Sequence, residues 1–124
     1  MGLGWDIKVY RLEDGKNSPA TAESSGGTCF AEWETGLNGT AWLEELVKTG
    51  KAIEVAGNCG YPWTFTAPAE HIVPRILDGP PEAYPETGEF MGRTYTFATR
   101  RIDRDAAHQC RSDEWLRIEA WDKD

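Results

Sequence analysis

The sequence predicts an α+β fold, a single domain over residues 1–124 with a mostly antiparallel sheet of about five to six strands and two short helices on one face. Three observations predict this fold. A length of 124 residues fits one domain. Six segments have the alternation or composition of strands, and two have the apolar stripe of a helix. Two polar, turn-rich stretches, 12–28 and 78–89, separate these segments as long loops.

The first two predicted strands flank the first long loop. In residues 5–11, Ile7 and Val9 point to one side of the strand, whereas Asp6 and Lys8 point to the other. This alternation predicts a half-buried strand. Residues 29–35 alternate in the same way, with Phe30 on the opposite side from Cys29, Ala31 and Trp33, and predict the second strand.

Residues 40–49 carry the clearest helical pattern in the chain. The apolar residues form one stripe along the predicted helix: Trp42, Leu43, Leu46 and Val47. Thr40 or Asn38 can cap the first turn, because a side-chain oxygen can accept from its free N–H groups. Gly50 is placed to end the helix in a left-handed conformation.

Residues 51–57 and 63–67 predict the next two strands, and the short connection between them, NCGYP, contains the turn formers expected of a hairpin. A second apolar stripe predicts a helix over 68–77. Pro74 lies inside that helix, where it removes a hydrogen bond and clashes with the preceding turn. We therefore expect this helix to be short, kinked or late to begin.

The last third of the chain predicts two strands with a helical turn between them. Residues 90–102 are rich in threonine and aromatic residues and predict a strand. Residues 104–110 predict the turn. In 114–121, one side of the strand is apolar and the other is half aromatic and half polar. The second side is therefore expected to be only partly covered.

The formal net charge is −8, and residues 1–89 carry all of it. The remaining residues, 90–124, have seven acidic and seven basic side chains. An acidic protein is repelled by phosphate, so direct binding of nucleic acid is not expected. A protein partner with a basic surface fits this charge better.

The N-terminal residues, MGLGWDIKVYR, lack the apolar run of a signal peptide. No segment approaches the roughly 20 apolar residues that a membrane-spanning helix needs. The three cysteines are an odd number without a close pair, which is not the pattern of a disulfide-stabilised secreted domain. The expected location is the cytoplasm, with no membrane partner.

One functional hypothesis is a small cysteine-dependent enzyme that uses Cys59 with His71 or His108. Such an enzyme needs a thiolate that a nearby histidine activates. Around Cys59, the string CGYPW departs from the cysteine-protease pattern C-G-[SA]-C-[WY], because Pro62 takes the position of the nucleophile. These residues and Cys110 are also of the types that bind zinc, but they lack the tight spacing of structural sites. Neither a metal ion nor a cofactor is expected.

Six tryptophans in 124 residues is a high number. Trp33 and Trp42 fit the predicted core. The aromatic residues that lie among polar neighbours form a predicted partner-binding set: Tyr61, Trp63, Tyr84, Trp115 and Trp121. Tryptophan and tyrosine are favoured anchors at protein interfaces. The alternative is that these side chains also pack in the core.

The layout of the chain resembles that of small uncharacterised accessory proteins of phages and prophages. The resemblance lies in GWDIKVYR at the start, NGTAWLEELVKTGKAI, a GYP turn and a final EWL…EAW. It covers most of the chain and involves no catalytic motif. It implies a protein that binds or inhibits host machinery, including defence systems such as CRISPR effectors.

Two function classes are thus open. The acidic charge, the aromatic residues and the absence of a catalytic motif favour a soluble, non-enzymatic protein-binding module, in the phage interpretation an inhibitor of a host protein. The alternative is the enzyme that would use Cys59 with His71 or His108.

Overall fold

The computed structural model describes residues 4–12, 27–56, 62–83, 87–96 and 100–122. The helices and strands in these residues are β1 (Trp5–Arg11), β2 (Thr28–Thr35), α1 (Ala41–Lys48), β3 (Ile53–Ala56), β4 (Trp63–Pro68), α2 (Ala69–Leu77), β5 (Thr87–Phe90), β6 (Arg93–Thr96), β7 (Arg100–Ile102), α3 (Arg104–Gln109) and β8 (Trp115–Asp122). The predicted α+β fold is confirmed.

Six of the strands form one antiparallel sheet in the order β3-β4-β8-β1-β2-β7, and β5 and β6 form a separate hairpin. The last strand, β8, lies near the middle of the sheet, between β4 and β1. This position explains its strict alternation, because one of its faces is wholly inside the protein. Leu116, Ile118 and Ala120 are fully buried.

The core lies on one face of the sheet. Val9 is paired with Ile118 and Ile7 with Ala120 across the β1–β8 ladder, and all four are buried. All three helices add buried side chains to the same core: Trp42, Leu43 and Leu46 from α1, Ala69, Ile72 and Ile76 from α2, and Ala107 from α3. The helices therefore cover the same face, as predicted. Full burial of a side chain the size of Ile118 contributes about 1.5–3 kcal/mol.

A β-bulge interrupts the alternation predicted for the second strand. Val9 is paired with Ala31, but Tyr10 is paired with Cys29, which leaves Phe30 as the extra residue. The bulge lets Phe30 and Ala31 both be buried although they are neighbours. The prediction that they face opposite sides is wrong for this reason.

Helix α1 begins and ends close to the predicted residues, but its first turn is not capped as expected. The side chain of Thr40 makes no capping hydrogen bond, and its hydroxyl donates instead to Glu44 Oε2 at 3.2 Å. At the other end Gly50 has a φ of 78°, and the N–H of Lys51 donates to Leu46 O at 2.8 Å. The predicted left-handed stop at Gly50 is confirmed.

The region predicted as one strand over 90–102 is three strands. Met91 and Gly92 have φ values of 53° and 78°, so they form the two-residue turn that joins β5 to β6. The chain then returns to the main sheet as β7, which pairs with β2. Residues 87–89, predicted as loop, belong to β5.

Helix α2 is short and holds Pro74 inside it, as the sequence predicts. The strands β3 and β4 pair as the predicted antiparallel hairpin, although their connection, residues 57–61, lies outside the described residues. So does most of the loop 12–28. Among the helices described, none is both long and apolar enough to cross a membrane.

A buried ion pair joins the end of β1 to the turn before β8. Arg11 Nε donates to Glu114 Oε2 at 2.7 Å, and Arg11 Nη2 donates to Glu114 Oε1 at 3.2 Å. The Glu114 side chain is 0% exposed, and that of Arg11 is 33% exposed. The pair connects residues 103 positions apart and fixes the turn against the sheet.

Candidate partner-binding surfaces

Two of the predicted partner-binding residues, Trp115 and Trp121, lie on the same side of β8, opposite to the core. Cross-strand pairing shows which other side chains share this side, and we call the group the outer sheet face: Asp6, Lys8, Tyr10, Glu32, Glu34, Arg101, Trp115, Arg117, Glu119 and Trp121. Trp115 and Trp121 are partly exposed. Each helix that the structure describes packs on the other side of the sheet.

Glu119 organises the centre of the outer sheet face. Its carboxylate accepts from Arg117 Nε at 2.9 Å and from the indole N–H of Trp121 at 3.1 Å. The Arg117 and Glu119 side chains are only 12% and 13% exposed. Lys8 Nζ lies 6.0 Å from the centroid of the Trp121 ring, within reach of a cation–π contact. The aromatic side chain of Trp121 is thus held from two directions.

The environment of Tyr10 changes its acidity. Burial, followed by the nearby negative charge of Glu119, raises the pKa of Tyr10 to about 12. Both effects disfavour the phenolate. Tyr10 therefore stays neutral over the whole physiological pH range.

The β1–β2 side of the outer sheet face carries more negative charge. Asp6 lies directly opposite Glu34, an arrangement of like charges that disfavours the pairing. Arg101 Nε contacts Glu32 Oε1 at 3.1 Å. A hollow of about 310 Å³ lies here, lined by Asp6, Lys8, Glu32, Glu34 and neighbouring backbone.

Trp63, also in the predicted set, lies on the core side of the sheet. It is 8% exposed, and its ring centroid is 5.0 Å from that of Phe65 and 5.7 Å from that of Trp5. Its indole N–H donates to Glu54 Oε2 at 2.6 Å. The part of Trp63 that is not covered lines a surface groove. Its role in binding stays a prediction.

This groove, which we call the α1–β4 groove, has a volume of about 460 Å³. Its lining comes from α1, β3 and β4: Ala41, Glu44, Glu45, Val47, Lys48, Glu54, Trp63 and Phe65. Three carboxylates face one ammonium group, so the groove is acidic. Apolar side chains from β4 supply the rest of its wall.

Of the residues of the enzyme hypothesis, the structure describes the two histidines. His71 is on α2, with Nε2 3.4 Å from Glu70 Oε1, and His108 is on α3. Cys59, like Tyr61 and Tyr84, lies outside the described residues. Burial raises the pKa of the Cys29 and Cys110 thiols, which disfavours a reactive thiolate at either position. Within the described part of the chain, no three metal-binding side chains form a group that could hold a metal ion.

Sequence reasoning did not identify Glu119, Tyr10 or Glu54 as functional candidates. The alternation in β8 and β1 was a usable signal for Glu119 and Tyr10, because it puts both opposite to the core. Glu54 gave no signal, since its contact with Trp63 depends on the register of β3 against β4.

Comparison of the chain with protein families, with curated proteins and with solved structures found no match.

Proposed function

We propose that this protein is a non-enzymatic protein-binding module and that it binds its partner through the outer sheet face. One observation carries the proposal. Trp121, a partly exposed tryptophan, is held in place by Glu119 and Lys8 on a face of the sheet that no described helix covers.

Holding an aromatic side chain before binding favours affinity. Ordering a side chain at an interface costs roughly 0.5–1.5 kcal/mol, and this cost falls when the side chain is already fixed. Trp121 has its indole N–H bonded to Glu119, so its ring can contact a partner without a further search. The charged residues around it, Lys8, Arg117 and Glu119, would set the orientation of the partner.

The chemistry of the partner follows from charge. The whole chain has a net charge of −8, which speeds encounter with a basic protein surface. The layout shared with small phage and prophage accessory proteins supports a host protein as the partner. In that case binding would inhibit the host protein, with a defence protein as the example that the resemblance implies.

The test compares three tagged forms of the protein as baits in extract of the native host. Wild type and Met91→Ala should retain the same protein, while a Trp115→Ala/Trp121→Ala double variant should not. Met91 is the control because it is 86% exposed and lies on the β5–β6 hairpin, which does not pair with the six-stranded sheet. The proposal fails if all three baits retain the protein equally. It also fails if no protein is retained while the purified protein converts a small-molecule substrate.

A further inference from the structure

We infer that the α1–β4 groove binds lysine or arginine side chains from an extended basic segment of the partner. This inference rests on the proposed function only in requiring a protein partner. It concerns a different surface from the outer sheet face, on the side of the sheet that the helices cover.

One side of helix α1 supplies the acidic rim of the groove. Ala41, Glu44, Glu45 and Lys48 follow the spacing i, i+3, i+4, i+7, which places them on a single side of the helix. The other side of α1 is buried in the core. The packing of this buried side fixes the position of the helix. Glu44 and Glu45 therefore stay beside the groove.

Glu54 supplies the opposite rim from strand β3. Its carboxylate accepts the indole N–H of Trp63 at 2.6 Å, which fixes its orientation. A carboxylate has about four acceptor positions, so this bond leaves room for a cationic donor. Glu44 is similar, because it accepts from the hydroxyl of Thr40 at 3.2 Å and keeps acceptor positions on its other oxygen.

Apolar groups between the two rims match the stem of a basic side chain. Val47 is half-buried and Trp63 is 8% exposed, so these two side chains offer apolar surface alongside the carboxylates, whereas Phe65 at the groove is fully buried. Lysine and arginine have a long aliphatic stem that packs on apolar surface and a charged head that seeks acceptors. An anionic segment would be repelled by the three carboxylates, and a purely apolar one would leave their remaining acceptor positions unused.

The position of β3 favours an extended segment. Strand β3 is at one end of the strand order of the six-stranded sheet, and it contributes Glu54 to the groove. In an extended chain, alternate residues point to the same side, about 6.6–6.8 Å apart. A segment with a basic residue at every second position would therefore direct all its charges to one side, towards the groove.

The probe is a blocked six-residue peptide of alternating lysine and alanine, with a matched peptide of alternating glutamine and alanine. Each is titrated into isotopically labelled protein while the indole N–H signal of Trp63 is followed by NMR. The lysine peptide should shift this signal, and the shift should weaken as salt is added, because salt screens exposed charges. The glutamine peptide should not shift it.

Variants then locate the site. A Glu44→Gln/Glu54→Gln double variant should bind the lysine peptide about tenfold more weakly. Lys48→Gln should bind it more tightly, since Lys48 is the one cation among the described residues that line the groove. The control is a Glu70→Gln/Asp113→Asn double variant, which removes the same number of charges at side chains that are 52% and 66% exposed and do not line the groove. It should change affinity less than about twofold.

The inference is overturned if the Glu70→Gln/Asp113→Asn control weakens binding as much as the groove double variant, because the attraction would then be to net charge alone. It is also overturned if the glutamine peptide binds equally well. In Glu54→Gln the side-chain amide would still offer an oxygen to the indole of Trp63, and an unchanged unfolding midpoint verifies that each variant is folded.

If the groove variants bind the natural partner normally while Trp121→Ala does not, the groove inference falls and the proposed function stands. If the peptide result holds but no bait retains a protein and the purified protein converts a small-molecule substrate, the proposed function falls while the affinity of the groove for basic side chains stands.

Discussion

The indole N–H of Trp121 donates to Glu119 Oε1 at 3.1 Å, between two side chains on the same side of strand β8. Glu119 also accepts from Arg117, so one carboxylate fixes a cation and an aromatic residue. An exposed tryptophan that is free to move loses conformational entropy when it binds a partner. One that is already bonded in this way loses less. This bond is therefore the reason to regard the outer sheet face as prepared for a partner.

Replacing Glu119 with alanine should lower the free energy of unfolding by about 1–3 kcal/mol, because its donors lose their shared acceptor in a region of low exposure. Arg117 is the most affected, since its side chain is only 12% exposed. Urea unfolding of the variant and wild type measures the difference. Glu70→Ala, at an exposed side chain, should change the free energy by less than about 0.5 kcal/mol. Equal effects of the two variants would contradict the role given to Glu119.

Loss of Arg11 and loss of Glu114 should lower the free energy of unfolding by different amounts. Arg11→Met leaves a carboxylate that is 0% exposed without its cation, a change that costs about 3–5 kcal/mol. Glu114→Gln leaves Arg11, which is 33% exposed and can turn its charge to water. The second variant should therefore lose about 1–2 kcal/mol. Denaturant unfolding of both variants tests this order, and a larger loss for Glu114→Gln would show that the buried carboxylate is not the costly partner.

Tyr10 should make the stability of the protein depend on pH in alkaline solution. Its pKa is raised to about 12 in the folded protein, against about 10 in an unfolded chain. Below pH 10 both states hold the proton and the stabilisation is complete. Between those two values the unfolded state has lost a proton that the folded state keeps, so stability falls as pH rises.

The measurement for Tyr10 is urea unfolding of wild type and Tyr10→Phe at several pH values from 9 upwards. As pH rises through this window, the unfolding free energy of wild type should decrease relative to that of Tyr10→Phe. Taking the difference cancels the titration of other tyrosines and lysines. A constant difference at every pH would mean that Tyr10 titrates normally.

The thiols of Cys29 and Cys110 should react slowly with an alkylating reagent. Burial raises the pKa of both, so the thiolate fraction near neutral pH is smaller than that of an ordinary cysteine. Labelling should speed up as pH is raised, and mass spectrometry of the peptides gives each rate. If Cys59 is also slow, and Cys59→Ala leaves partner binding unchanged, the cysteine-enzyme hypothesis is lost. Preferential labelling of Cys59, with loss of an enzymatic activity in Cys59→Ala, would favour that hypothesis over the binding module.

Strand β8 and the segment 90–102 show how far sequence patterns predict this fold. Leu116, Ile118 and Ala120 alternate because β8 is central and one of its faces is in the core, so the pattern has few exceptions. The prediction of one strand over 90–102 is wrong because the β-rich composition continues through the turn between β5 and β6. Met91 is not a usual turn former, yet it adopts a φ of 53° there. Local composition did not reveal a turn that the pairing of β5 with β6 requires.

The two candidate surfaces also differ in how far the sequence predicts them. Partial exposure of Trp115 and Trp121 could be predicted, because their neighbours along β8 are polar. The α1–β4 groove could not be predicted, since it depends on how α1 packs beside Glu54 and Trp63 of the β3–β4 hairpin. The bulge at Phe30 had no signal either, because it depends on the register between β1 and β2.

The most direct test of the central claim is the affinity of Trp121→Ala for the natural partner, measured by titration calorimetry beside wild type and Met91→Ala. A fixed aromatic anchor at an interface costs about 2 kcal/mol or more when truncated, which is about 30-fold in Kd. We expect that loss for Trp121→Ala and less than about a twofold change for Met91→Ala. A Trp121→Ala variant that is folded and binds with the affinity of wild type would contradict binding through the outer sheet face.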